Sequence, residues 1–309
     1  MSLLEVFLFE KFRARCGRLT LYGLDKPKVR QLFCYLLLYR GRPQPRESLA
    51  GVLWDDTHAD HPNRCLRKTL WQLRTALDSQ SDHLSDYLLL VEPEWVQVNP
   101  EADLWLDVAA FEQAFDHVQG RSGKELDFQD VQVLQGAVDL YRGGLQESWY
   151  QDWYLYERER FQHMYLIMLD KLMGHCEAHG DYEAGLAYGT RILRCERARE
   201  RTHRRMMRLH CLVGDRTSAL RQYQRCTQVL DEELGVKPSG RTVTLYQQIR
   251  ADQFRTSPSM PIETIAAPKA AALLLPEVRL RLKKLEAVLA EAQRQVKQGI
   301  QAVELPLKD

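Results

Sequence analysis

Along residues 62–77 the hydrophobic positions recur at the spacing of one helical face: Leu66, Leu70, Leu73 and Leu77 stand at i, i+4, i+7 and i+11. At about 100° per residue, Arg64, Lys68 and Thr75 point the other way, flanked by Arg67 and Arg74, and Trp71 falls among them. Between His61 and Leu77 there are four Lys or Arg and no Asp or Glu. The pattern predicts a helix buried by leucines on one side, with guanidinium groups and a flat aromatic ring on the other. Such a face suits a DNA major groove, where phosphates attract cations, arginine bonds bidentately to guanine and apolar atoms touch thymine methyls. A solvated basic face beside a half-buried tryptophan has the same spacing.

The flanking patterns give this helix a context. Residues 3–22 alternate as β, with Phe7 and Phe9 against Leu8 and Glu10, then Phe12 and Ala14 against Arg13 and Arg15, and a turn at Cys16-Gly17-Arg18. Lys26 to Arg40 reads as a first helix, with Pro27 in its first turn, Leu32, Phe33, Leu36 and Leu37 on its buried face, and Gly41 as its stop. Pro43 and Pro45 punctuate a loop before a short second helix, Arg46 to Trp54, and the acidic connection 55–60 follows. After the basic helix, YLLLV and WVQVN flank Glu92-Pro93-Glu94 as a β-hairpin. Strand pair, helix, helix, basic helix and hairpin make a winged helix-turn-helix with an N-terminal sheet, in which the third helix reads DNA.

From Asp103 to about Phe254 every segment reads as helical, with Leu106-Asp107 as a cap region. An internal repeat appears there: Gly180-Asp181 recurs as Gly214-Asp215 at an offset of 34, Leu172-Met173 maps onto Met206-Met207, and Gly185-Leu186 onto Ala219-Leu220. Thirty-four residues is the tetratricopeptide period, two antiparallel helices per repeat, with small residues where helices press together. Residues 256–276 carry four prolines and many small residues and read as a linker. Beyond them Val278, Leu282, Leu285, Leu289, Ala292 and Val296 form a heptad seam, which predicts either a dimerisation helix or one docked on its own chain. The expected fold is mainly α with a small β part: winged helix-turn-helix over 1–102, tetratricopeptide-like domain over 103–255, linker over 256–276 and an amphipathic, coiled-coil-like helix over 277–304.

Composition narrows the function classes. With 309 residues, 45% of them hydrophobic and 28% charged, the chain can fill two domain cores. A net charge of +1 requires any basic footprint to be local. Seven cysteines without a C-x-x-C fit reduced thiols, and no signal peptide or spanning segment is read, so a cytoplasmic protein without membrane association is expected. No G-x-S-x-G, H-E-x-x-H or phosphate loop is present and the carboxylates single out no pair, so no enzyme and no cofactor are expected. His175 and His179 stand at i, i+4 beside Cys176 without a second ligand pair, which reads as a polar helix end rather than a metal site. Residues 197–225 hold nine arginines and two acids. Of these, Arg197, Arg201, Arg204, Arg205, Arg208, Arg221 and Arg225 form a candidate face for an acidic partner, DNA phosphate or a small phosphorylated ligand. The alternative is intrachain pairing with Glu157, Glu159, Asp181 and Glu183.

Two resemblances add to this reading. The N-terminal arrangement resembles the DNA-binding domain of OmpR-type response regulators. LDVAAFEQA (106–114), AVDLYRGGLQESWYQDW (137–153), ERERF (157–161), GDYEAGLAYGTRIL (180–193), RERTHRRMMRLH (199–210), GDRTSALRQYQRC (214–226) and ELGVKPSGRTVTLYQQI (233–249) resemble the bacterial transcriptional activator domain. Together, over roughly residues 3–254, the layout is similar to that of the antibiotic-regulatory-protein type of transcriptional activators. The resemblance implies an activator that binds direct repeats at promoters side by side, as a homodimer on double-stranded DNA, and recruits RNA polymerase. The ATPase domain of larger relatives is not expected, since no G-x-x-x-x-G-K-[ST] occurs. Arg64, Arg67, Lys68 and Trp71 are then expected to face bases, with Arg74 and Thr75 near bases or backbone. Lys28, Arg42 and Arg46, at or near helix starts, are expected at phosphates. The loop residues Asp55, Asp56, Thr57, His58 and Asp60 are expected to meet polymerase. The two carboxylates of the wing tip would be repelled by phosphate, so no minor-groove contact of the wing is expected. A second reading is a tetratricopeptide adaptor or ligand sensor whose winged domain binds protein.

Overall fold

The computed structural model describes residues 3–17, 19–54, 61–79, 83–145 and 149–254. The N-terminal alternation forms β1 (Leu4–Phe7), β2 (Arg13–Cys16) and β3 (Leu19–Thr20), paired antiparallel with Leu4 opposite Cys16. Leu4 and Val6 turn into the core while Glu5 and Phe7 lie half-buried, the period of two that a one-sided sheet requires. The helices α1 (Pro27–Leu38), α2 (Arg46–Trp54) and α3 (Pro62–Asp78) follow as the apolar spacing predicts.

Three elements depart from the sequence reading. Gln44–Pro45, expected as loop, is a two-residue strand β4 that edges a second sheet; Pro45 can sit there because an edge position need not donate an N–H. The YLLLV stretch begins as a helical turn, α4 (Leu84–Leu88), before becoming β5 (Leu89–Val91), which pairs with β6 (Trp95–Val98). Asp78 fixes that turn by accepting the Ser85 N–H at 2.7 Å and its hydroxyl at 2.8 Å. Finally, the segment after Asp103 is not wholly helical. β7 (Leu104–Leu106) joins the first sheet parallel to β1, in the order β3-β2-β1-β7, and Trp105 tilts against Phe7 at 5.0 Å. Three residues are too few for periodicity to announce a strand.

The rest is helical: α5 (Asp107–His117), α6 (Phe128–Leu140), α7 (Asp152–His179), α8 (Tyr182–Cys195), α9 (Glu200–Leu212), α10 (Arg216–Leu234) and α11 (Gly240–Arg250). The 34-residue repeat has a structural cause. Gly180 and Gly214 hold φ of +79° and +87° at the ends of α7 and α9, a conformation that suits glycine. The aspartate after each glycine caps the next helix: Asp181 accepts from Ala184 N–H at 3.3 Å and Asp215 from Ser218 N–H at 2.9 Å. Small residues sit where the repeats press together, for a Cβ at Gly189 would lie 2.8 Å from Met206 Cγ. No helix among the described residues is long and apolar enough to cross a membrane. The linker and heptad segments lie outside the described residues.

The winged part and the helical part share one hydrophobic core. Phe9, just past β1, meets Phe111 of α5 at 5.2 Å and Phe161 of α7 at 5.4 Å, both edge-on, and Tyr35 of α1 meets Trp153 of α7 at 5.0 Å. At the centre of this junction Asp107, 2% exposed, accepts the N–H groups of Leu8 and Phe9 at 2.9 Å and of Val108 at 2.8 Å. Around it Arg40 and Arg160 both grip Glu112, at 2.5 and 2.7 Å, and Arg160 also holds the buried Glu157 at 2.7 Å.

Burial outweighs the three N–H donors and pushes the Asp107 carboxyl up to about 6. The folded chain therefore keeps a proton that the unfolded chain has released between about pH 4 and 6, and this contribution to stability is lost as pH rises through about 6. Asp107→Ala, which orphans buried donors at about 1–3 kcal/mol each, should destabilise more than Asp107→Asn. Urea unfolding of wild type and Asp107→Asn should show a wild-type advantage larger at pH 5 than at pH 7 by about 1 kcal/mol; the opposite trend refutes the assignment.

Candidate nucleic-acid interface

One face of α3 holds the helix in the protein: Leu66, Thr69, Leu70, Leu73, Ala76 and Leu77 are buried, against α1 and α2. The opposite face is open. Arg64, Arg67, Lys68, Trp71 and Thr75 are exposed, and Trp71 shows 66% of its surface. An indole so displayed contributes little to the core and is available to a partner. Pro62 starts the helix and its first turn has no acid, so the positive end of the helix dipole adds to the cations near it.

Two shallow depressions flank this face, and Arg67 lines both. One lies between the starts of α2 and α3 and the wing tip, with Arg46, Asn63, Pro93 and Glu94. The other runs along α3 beside the wing, with Arg46, Trp71, Arg74, Thr75 and Val91. Arg46 is anchored by its backbone, which donates to Glu94 O at 2.9 Å, and its half-buried side chain carries an Nε with no hydrogen-bond partner among the described residues. The Thr75 hydroxyl donates to Trp71 O at 2.9 Å, which leaves its acceptor lone pairs outward. Arg74 is partly committed, ion-paired with Asp86 of α4 and 3.5 Å from Ser85 Oγ.

The cations expected at phosphates separate in the structure. Arg42 is exposed in the turn after α1, and Arg46 sits at the start of α2 beside Arg67. Lys28 turns inward instead: its ammonium donates to the Leu53 carbonyl at the end of α2 and lies 5.6 Å from the Trp54 ring. A cation at a helix C-terminus satisfies unpaired carbonyls and the negative dipole end. Asp55, Asp56, Thr57, His58 and Asp60 lie between α2 and α3 in the chain, outside the described residues. Glu92 and Glu94 stand exposed at the wing tip, as the turn predicts.

Asn63 escaped the sequence reading. It is exposed, lines the first depression, and stands with Arg67, Trp71 and Thr75 on one i, i+4, i+8, i+12 stripe. Its amide can donate and accept at once, the pairing that adenine offers. The signal was the four-residue step, which the arginines masked.

Among the described residues no three His, Cys, Asp or Glu cluster where a metal ion could be held. His175 and His179 stack ring on ring at 4.0 Å at the end of α7.

Comparison with known proteins decides the second half. Residues 106–250 match the family described as bacterial transcriptional activator domain. Over those residues the helical half is similar to a bacterial transcriptional activator domain. The fold also resembles a solved structure, Mycobacterium tuberculosis EmbR in complex with a low-affinity phosphopeptide, with a TM-score of 0.61 at 18% identity, over 83% of this chain and 67% of that one. No curated protein sequence matches. The winged helix-turn-helix joined to such a domain is similar in layout to the antibiotic-regulatory-protein type of transcriptional regulator.

The two faces of α3 predict opposite mutational behaviour. Trp71→Ala should change stability by no more than about 0.5 kcal/mol, while Leu73→Ala, fully buried two residues away, should cost about 2–5 kcal/mol. Denaturant unfolding of both variants checks this; a large loss at Trp71 would assign the indole to the core.

Proposed function

We propose that the chain is a sequence-specific DNA-binding transcriptional activator that engages promoter direct repeats as a homodimer and recruits RNA polymerase. The observation that carries this reading is the solvent-facing stripe of Asn63, Arg67, Trp71 and Thr75, with Arg64 and Lys68 beside it, on a helix whose other face is locked in the core. Arg64, Arg67, Lys68 and Trp71 face base edges in the major groove; Arg42 and Arg46 take phosphates and set the register. Arg74, held by Asp86, serves at the margin. The acidic run 55–60 offers carboxylates to a basic polymerase surface. No cofactor is needed for any of these steps, and the work belongs in the cytoplasm, where the DNA is.

One observation favours a different partner: Glu47, Glu92 and Glu94 crowd acid around the wing tip. An adaptor whose winged part docks on a basic protein surface would use that acid. Selection of bound sequences from random duplex, followed by footprinting on the recovered sites, separates the two; enrichment of a repeated half-site supports the activator, and no enrichment over random duplex rejects it.

If Arg67 reads guanine, Arg67→Ala should cost about 1–3 kcal/mol and relax preference at one base pair. Arg42→Ala should weaken all sequences alike and flatten the dependence of log K on log salt by about one. Gel-shift titrations across salt concentrations check both, and identical behaviour of the two variants would refute the division of labour.

A further inference from the structure

The arginines of residues 197–225 do not form one face. Most tie the repeats together. Arg201 and Arg205 reach Asp170 at 3.4 and 2.8 Å, Arg205 and Arg208 reach Glu177 at 3.2 and 2.7 Å, and Arg199 pairs with Glu196 at 2.9 Å. Arg204 donates to Thr242 Oγ1 at 3.1 Å, and Arg216 caps α11 through the carbonyls of Ile249 and Arg250. These partners are not the expected Glu157, Glu159, Asp181 and Glu183; the carboxylates that reach the arginines of α9 are Asp170 and Glu177, further along α7 than Glu157 and Glu159.

Arg225 behaves differently, as does Arg194, which lies just outside that run. Both are exposed and neither has an ion-pair partner among the described residues. Both line a cavity of about 350 Å³ between α8, α9 and α10, together with Arg197, which leans on Glu232 and Glu233 at 3.6 and 3.3 Å. Leu193, Met206 and Val229 supply its apolar lining.

The wall of this cavity is built, not incidental. His203 and Gln222 are each 3% exposed. Burial, with Arg225 adding to it, holds His203 below the usual histidine range, so its ring is neutral. Its Nε2–H donates to Arg197 O at 2.8 Å, and its Nδ1 accepts from Gln222 Nε2 at 2.7 Å. That bond fixes the amide, and the Gln222 carbonyl oxygen is left without a protein donor among the described residues.

An apolar lining, a fixed polar group in the wall and two uncompensated guanidiniums complement one kind of molecule. We propose that this cavity of the activator domain binds a small organic anion, an apolar body ending in a carboxylate or a phosphate, with Arg194 and Arg225 holding the anionic end. The volume is that of a small-molecule site. Arginine's planar fork suits either anion. The bound molecule would bridge α8 to α10 and stiffen the repeat pair. The proposal does not depend on DNA recognition by α3.

The test uses the full chain without DNA. Thermal unfolding and calorimetric titration are run with hexyl phosphate, hexanoate, hexanol and inorganic phosphate as probes. A ligand that binds only the folded state raises its unfolding temperature. Hexyl phosphate or hexanoate should do so at millimolar concentration, and which of them does so distinguishes the phosphate source from the carboxylate. Arg194→Ala/Arg225→Ala should weaken that binding by about tenfold or more, while Arg221→Ala, on α10 outside the cavity, should leave it unchanged. Because both arginines are exposed, the double variant should unfold at the wild-type temperature without probe, which separates lost binding from lost folding. No shift with either anionic probe, or equal shifts in wild type and double variant, overturns the proposal, as does equal binding of hexanol.

Discussion

Asp107 stands where the two halves of the chain meet, and the whole arrangement depends on how its carboxylate is used. It follows β7, begins α5, and accepts the N–H groups of Leu8 and Phe9 just past β1. One side chain thus accepts an N–H from the first turn of α5 and ties to it the segment that follows β1. Phe9 then enters a ring cluster with Phe111, Tyr141 and Phe161. The consequence is that no flexible linker separates reading head from activator domain. The orientation of α3 against the repeats is set by a shared core, and a core of interlocking rings does not deform gradually.

α7 carries this constraint along its length. Its 28 residues span about 42 Å at 1.5 Å per residue. Near its start Trp153 meets Tyr35 of α1; further on Arg160 and Phe161 hold the junction; towards its end Asp170 and Glu177 take the arginines of α9. The junction ions are costly to bury, and Arg160 is stationed to satisfy two carboxylates at once. Such pairs contribute more to a unique geometry than to net stability. A change in the packing of α8, α9 and α10 therefore has a rigid route to α1, the helix that supports α3.

What the sequence reveals follows the range of the interactions. The leucine stripe of α3 and the Gly-Asp pairs at an offset of 34 are written locally, because amphipathic period, a left-handed helix end and an aspartate cap each need only neighbouring residues. β4 and β7 are two and three residues long and exist because β6 and β1 lie beside them, which no window of sequence contains. Lys28 looked like a phosphate ligand from its place near a helix start; only the fold brings the end of α2 to it. The arginine run likewise reads as one basic face until α7 supplies Asp170 and Glu177 and leaves Arg194 and Arg225 apart.

The same sorting explains how a chain of net charge +1 can present a cationic surface. Within the activator domain most arginines are neutralised by carboxylates or spent on backbone carbonyls, so they project little field. On α3 four cations face no acid of their own helix until Asp78, and among the described residues only Arg74 finds an ion-pair partner, in Asp86. The acid that does approach comes from Glu47 and Glu94, at the mouth of the depression beside Arg46 and Arg67. Carboxylates there repel phosphate and leave base edges untouched. They trim the part of duplex affinity that every sequence shares and leave the part that differs between sequences. An acidic wing beside a basic helix is therefore consistent with selective recognition: it shifts weight from the backbone to the bases.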